Sequence, residues 1–554
     1  MYDLNPKTKI SNDTQRILRN LDVFENENLV VVETYPGVDD EILEAFKALN
    51  FDRVIETIDI FKDTSTINKQ LAPILTEDRV RGKMYFGEVT DFMDLEKLSE
   101  VQNSLKASER TLIYGFGASL VTDEGTLVFA DLTRWEIQLR YRQGMANYKA
   151  NNHQEEPLKK YKRGFFVEWR IADKLKPEVM ERMDYYLDTT IKGEMKMISR
   201  ADYHYALDRM VKVPFRLVPY FDPGVWGGHW MKENFNLPEN NSNYAWSFDG
   251  VPEENSINFQ FGDDYIQTPA INLTLLRPKE FLGKLVYERF GAEFPIRFDL
   301  LDTVGGQNLS LQVHPNVEVN RKEFGMAYTQ SESYYLLESK ENGTVYLGVK
   351  EDVDQKAMFD DLYLAQEGKI MFDAEKYVNV FPVKKHDHIL IPPGTIHCSG
   401  KDTVVLEISH TPYIFTFKLW DWGRVDLDGK PRPTHIDLGK KVLNFEYDTK
   451  YVKEHFINQS EIVYEDENNR IEKTGLPKEQ LLNTYRIHVN GELQMQTHKN
   501  VSMLNLVEGS ECYIEAGDYR LKVHYAETFI VPASITEYKI ISDQPVILML
   551  AQAR

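Results

Sequence analysis

The amino-acid sequence predicts a multidomain protein in which an N-terminal α/β domain is followed by mainly-β domains with a helical insertion. Three observations lead to that reading. A chain of 554 residues is too long for one ordinary hydrophobic core, which sets an expectation of roughly two to four domains. Residues 28–49 read as a buried apolar strand, a Pro-Gly turn and an amphipathic helix, the opening of an α/β unit. Beyond residue 213 the charged, helix-like pattern gives way to short apolar-alternating runs separated by turn residues, the pattern of a sandwich or barrel.

In chain order, Leu29, Val30, Val31 and Val32 form the first strand, and Asp39 and Asp40 stand near the start of the helix that follows Gly37. Residues 53–58 supply a second strand, residues 110–119 a third that ends in glycines, and residues 125–132 a fourth. A phosphate loop needs glycines, a lysine and a Ser/Thr at this first turn. The turn here has Gly37 but no Gly-Lys-Ser/Thr, and Asp39, Asp40 and Glu41 repel phosphate; the pair Gly115 and Gly117 is a lone Gly-x-Gly. In residues 131–144, Arg134, Gln138 and Arg142 recur every four residues on one helical face, with Trp135, Leu139 and Tyr141 as apolar contacts. Such a stripe can hold an anion, although a solvated, salt-bridged face is the plainer reading. This half resembles nucleoside or nucleotide kinases that lack their phosphate loop, and residues 1–205 are expected to form one α/β domain of unassigned role.

The β pattern that follows is interrupted at residues 351–377 by a helical stretch with Met358, Leu362 and Leu364 as its apolar marks. Residues 460–554 are again β-like. No run of about 18 apolar residues occurs, so no membrane span is expected. The N-terminus is polar, with no signal-like apolar segment. Only two cysteines are present, Cys398 and Cys512, which fits a reducing, cytoplasmic setting. A formal charge of -22 argues against nucleic-acid and anionic-membrane partners.

The residues that carry chemistry lie in three pieces. In residues 308–315, Leu309, Leu311 and Val313 alternate with Ser310, Gln312 and His314, which reads as a half-buried strand with Gln312 and His314 on one face. Glu332 opens a second β-like run, and His397 follows the Pro392-Pro393-Gly394 turn of a third. Two imidazoles, a carboxylate and a carboxamide suit a borderline divalent metal such as zinc. Each residue also has a plainer reading: a hydrogen-bonded strand histidine, or a surface charge at a strand end.

Residues 212–554 resemble the class I (type I) mannose-6-phosphate isomerases, zinc enzymes built on the cupin (jelly-roll) barrel. The motifs occur in family order: Trp226-Gly227-Gly228, Ala245-Trp246-Ser247, Leu301-Asp302, the Leu-Ser-x-Gln-Val-His-Pro signature at residues 309–315, and Pro-x-Gly-Thr-x-His ending at His397. The resemblance implies one zinc ion held by Gln312, His314, Glu332 and His397. It implies a metal-binding cupin domain at 212–445 and a non-catalytic cupin-like domain at 460–554, in which His524 is structural. Residues 417–424 resemble the segment where the family places basic residues beside the metal, so Lys418 and Arg424 are the expected catalytic residues. Residues 426–432 resemble the turn after it.

The implied activity is an aldose–ketose isomerase interconverting mannose 6-phosphate and fructose 6-phosphate, with a sugar phosphate as its partner molecule. Two departures bear on it. Asp299 and Gln330 stand where the family has lysines, with Arg297 two residues from Asp299 and facing the same side. Phosphate recognition and proton transfer both favour positive charge. The alternatives are therefore a catalytically impaired, metal-binding sugar-sensing or regulatory protein, or an isomerase acting on a different sugar.

Overall fold

A computed structural model describes residues 1–412, 415–425, 432–475 and 480–554. The chain divides into two compact units, one formed by residues 6–210 with 252–278, the other by residues 1–5, 211–251 and 279–554.

The first unit is α/β. Its six-stranded sheet runs in the order Arg53–Glu56, Thr111–Gly115, Leu29–Thr34, Thr126–Asp131, Tyr185–Asp188, Lys196–Ser199, and only the last pair is antiparallel. Leu29–Thr34 sits centrally with neighbours on both sides, which explains its unbroken valine run: a parallel strand covered on both faces needs no polar alternation. The helix Asp40–Lys47 starts where the Asp39 side chain accepts from Glu41 N, and it buries Ile42, Leu43 and Phe46. Residues 252–278, which the sequence reading leaves in the following domain, belong to this unit. They contribute the hairpin Ser256–Phe261/Asp264–Pro269, which pairs with Thr8–Ser11 in a three-stranded sheet.

The expected basic stripe lies on the helix Arg134–Arg142, where it is buried at Arg134 and exposed at Arg142. Arg134 is buried against Asp173, with Glu253 3.9 Å from its other guanidinium arm. Gln138 donates to Glu254 at 3.0 Å, and Arg142 lies over the Trp135 ring. Ion pairing within the unit takes up Arg134, while Arg142 is exposed.

The second unit is mainly β. One antiparallel sheet has the order His388–Ile391, Ser331–Ser339, Thr403–His410, Arg297–Asp302, Trp246–Gly250, Tyr220–Asp222. A second has the order Val378–Pro382, Thr344–Val349, His397–Ser399, Leu311–Val313, Phe417–Trp420. Between Thr344–Val349 and Val378–Pro382 lies the helix Gln355–Gln366, which buries Met358, Phe359, Leu362 and Ala365. Leu364 is on the exposed side, one step off the buried face that the sequence reading gave it.

A third sheet, of eight strands, is built around Leu482–Gln496 and Glu537–Ala553, which pair along almost their whole length. Ile487, Leu504, Phe529, Ile540 and Leu548 form its dry core. His524 bonds through Nδ1 to Glu527 at 3.1 Å, and buried Glu527 pairs with Arg216 at 2.7 Å. No helix among the described residues is long and apolar enough to cross a membrane.

Candidate metal centre

The strands place the singled-out residues by register. Gln312 lies opposite His397 on one side and opposite Lys418 on the other, so these three share a face of the five-stranded sheet. Glu332 comes from the six-stranded sheet, opposite Ser409, which in turn pairs with Arg297. Two residue pairs along, Tyr334, Glu407 and Asp299 form a second row on the same face as Glu332. The turn before His397 is tied to the strand of His314, because Gly394 N donates to His314 O at 2.9 Å. Gly394 holds φ +87°, and a Cβ there would lie 3.0 Å from Val442 O, so glycine is required on both counts.

His314, Glu332 and His397 are buried, and their ligand atoms all lie within 4.8 Å of one another. His314 Nε2 is 3.0 Å from Glu332 Oε2, and His397 Nε2 is 2.9 Å from Oε1. The Gln312 Nε2 atom is 3.2 Å from His397 Nε2. The strand holding Gln312 is not half-buried as its alternation suggests. Ser310, Gln312 and His314 are as enclosed as the leucines between them, since their face lines this polar interior. The reading of Glu332 as a surface charge fails for the same reason.

The outer nitrogens decide what the inner ones can do. His314 Nδ1 lies 2.9 Å from Phe415 O, and His397 Nδ1 lies 2.8 Å from Thr395 O. Carbonyls only accept, so each Nδ1 carries the hydrogen and each Nε2 presents a lone pair inward. Two lone pairs then face a carboxylate across about 3 Å, an arrangement that requires a cation or a proton between them. Burial raises the Glu332 carboxyl, but the two imidazoles more than reverse this and hold it well below the usual carboxylate range. Burial holds His397 below its usual value, against the pull of Glu332. Two imidazole nitrogens and a carboxylate, with a carboxamide beside them, fit a divalent metal of zinc type.

Gln330 is the residue whose role the sequence did not disclose. It is buried, its Nε2 donates to Glu332 Oε2 at 2.9 Å, and its Oε1 accepts from Phe415 N at 3.1 Å. Phe415 is also the residue whose carbonyl fixes His314, so one side chain braces two of the three charged or imidazole ligands. Asp299 is buried in the row with Glu407. Burial, then Asp299 and then Glu332, push the Glu407 carboxyl well above its ordinary value.

Lys418 stands beside Gln312 on the cluster's face and is partly exposed. Arg424 is held otherwise: its guanidinium donates to Asn308 O and Asp421 Oδ1, both at 2.6 Å. Of the expected turn over residues 426–432, all but the last residue lie outside the described residues.

Residues 13–212 match a family model described as a domain of unknown function (DUF8485). Part of the chain aligns with curated proteins. ManA of Bacillus subtilis (strain 168) is 21% identical over 333 residues, 60% of this chain and 96% of the relative. The Bacillus subtilis protein YvyI is 22% identical over the same shares. A Streptococcus mutans protein is 21% identical over 325 residues, 58% of this chain and 93% of its own. The first and third are named mannose-6-phosphate isomerases. The crystal structure of the Bacillus subtilis mannose 6-phosphate isomerase superposes on 61% of this chain and 99% of its own, at 20% identity and a TM-score of 0.51. At that identity the likeness establishes a shared fold.

Proposed function

We propose that the chain is a metal-dependent aldose–ketose isomerase acting on mannose 6-phosphate and fructose 6-phosphate. In this reading residues 212–251 and 279–445 form the metal-binding cupin domain, residues 460–554 a non-catalytic cupin-like domain, and residues 6–210 with 252–278 an α/β domain of unassigned role without a phosphate loop. The observation that carries it is the buried cluster of His314, Glu332 and His397, with Gln312 completing the set. The curated relatives supply the substrate class.

The chemical problem is to move a weakly acidic proton next to a carbonyl while negative charge builds on the sugar oxygens. A divalent metal supplies Lewis-acid polarisation of those oxygens when bound. The chain's own residues do the rest. The carbonyls of Phe415 and Thr395 fix both imidazole tautomers, and Gln330 fixes the carboxylate. Lys418, beside Gln312, supplies positive charge for the enediolate or the phosphate. Arg424 holds residues 421–424 against Asn308. Burial, Asp299 and then Glu332 raise the Glu407 carboxyl well above its ordinary value.

A second reading is a catalytically impaired sugar-sensing or regulatory protein, and it is favoured by buried Asp299 and by Gln330 in place of cations. Turnover of mannose 6-phosphate by the purified, zinc-loaded full chain separates the two. Activity that disappears on chelation and returns with zinc supports the isomerase. Stoichiometric zinc and sugar-phosphate binding without turnover supports the regulator. Full metal occupancy in both His314→Ala and His397→Ala would overturn the metal assignment itself.

A further inference from the structure

A cavity of about 450 Å³ lies between the turn at residues 384–388 and the eight-stranded sheet, within the mainly-β unit. Its volume suits a small organic ligand. Five of its lining residues are cationic or imidazole groups that neither the metal cluster nor the proposed reaction uses; Lys385 and His386 pair with Glu508, which leaves Lys384, His388 and Arg486.

Their bonding shows what is left to offer. Among the described residues, exposed Lys384 has no carboxylate partner. The Arg486 guanidinium donates to Glu472 at 3.2 Å and to His386 O at 2.7 Å, while its buried Nε has no acceptor. His388 is only 2% exposed; its Nε2 is 2.9 Å from Ser333 Oγ, and its Nδ1 has no partner among the described residues. The one carboxylate in the lining, Asp387, is occupied by Lys384 N and by the Asn458 amide, both at 2.9 Å. A cavity edged with positive charge in a chain of net charge -22, with buried polar nitrogens lacking partners, is built for an anion that also carries polar groups.

We propose that this cavity is a second small-molecule site, for a small organic phosphate bearing hydroxyl groups. Lys384 and Arg486 take the phosphate, and His388 Nδ1 with Gln459 takes hydroxyls. The site is separate from the metal cluster. Ser333, bonded to His388, follows Glu332 directly in its strand, so the two side chains point to opposite faces of that sheet. The geometry therefore puts the cavity behind the sheet whose front holds the ligand carboxylate.

The test is calorimetric titration of the full-length protein, stripped of metal by chelation, with inorganic phosphate and with glycerol 3-phosphate. Expected is one saturable site that binds glycerol 3-phosphate at least fivefold tighter than phosphate. Lys384→Glu and Ser460→Glu, both at exposed positions on the cavity rim, should each weaken it at least tenfold. Unchanged binding in both variants, or no saturable binding of either probe by the wild-type chain, would overturn the proposal. Equal affinity for the two probes would overturn the hydroxyl contacts at His388.

Discussion

Replacing Gln330 by leucine tests the bracing of the ligand carboxylate. The carboxamide makes two bonds, donating to Glu332 Oε2 at 2.9 Å and accepting from Phe415 N at 3.1 Å, and the side chain is buried. Leucine has nearly the same volume, so little cavity forms. What changes is hydrogen bonding. A buried backbone N–H left without a partner costs about 1–3 kcal/mol, and the lost bond to a charged oxygen contributes a further ~1.5–3 kcal/mol. Because Glu332 keeps other contacts and relaxes partly, a net destabilisation of about 2–4 kcal/mol is expected. At ~2.1 cal/mol/K per residue, a cooperative unit of about 300 residues loses ~3–6 °C in Tm for that change. The metal should respond more specifically, since loss of a partner to a metal ligand typically weakens binding about 10–100-fold. Competition with a chromophoric chelator measures that affinity, and calorimetry measures the Tm. Gln330→Glu keeps the size but sets a carboxylate against Glu332, and should weaken metal binding unless it is protonated. Wild-type metal affinity in Gln330→Leu, whatever its stability, would refute the bracing role.

Other consequences are as direct. Buried Glu33 accepts from Gly117 N and Ser119 N, and burial raises its carboxyl from 4.5 to about 7. Below about pH 4.5 both states hold the proton and its contribution is complete. Between there and pH 7 only the folded state keeps it, so stability falls by roughly 1.4 kcal/mol per pH unit; Glu33→Gln should lack that slope in urea titrations at pH 5 to 7. Lys176 bonds Asp131 at 3.0 Å and Asn272 at 2.8 Å in full burial. Lys176→Met should cost about 3–5 kcal/mol by urea midpoint, and adding Asp131→Asn should recover much of it; a single-variant loss under about 1 kcal/mol would contradict an essential pair. Lys418→Met should lower kcat/KM by about 100-fold or more with metal content unchanged. Unaltered turnover would remove Lys418 from the reaction.

Where one local pattern settles one local structure, the sequence is readable. The valine run of Leu29–Thr34 announces a strand covered on both faces, and Asp39 announces the helix start. Gln312, His314, Glu332 and His397 could be singled out because two lie two residues apart on one strand and the others sit in recognisable turns and strand ends. Burial was harder to see. Period-two alternation of polar and apolar residues looks the same whether the polar face meets water or an enclosed polar cluster, so residues 309–314 read as half-buried. Arg134, at one end of the helical stripe, likewise looks the same in solvent and beside Asp173 and Glu253, which are 39 and more residues away. Gln330 shows a subtler limit. As a letter in the chain it registers only as a missing charge, and its positive role depends on Phe415, 85 residues on.

Those two missing charges act in one direction. Asp299 adds a carboxylate to the row beside Glu332 and Glu407, and Gln330 replaces a cation with a neutral donor that orients the ligand oxygen. Less positive charge around a cluster of lone pairs strengthens the case for a cation there and weakens the pull on a substrate phosphate. On the proposed function, cation retention and phosphate recognition are thus separated. Zinc binding alone does not distinguish an isomerase from a sensor, because the substitutions that favour the metal are those that deprive an anionic substrate of partners. The question moves to Lys418, the cation that the register places next to the ligand set. If Lys418 and the metal together hold an open-chain sugar phosphate, turnover follows from the geometry. If they do not, the same cluster is a metal-held barrel that binds without converting.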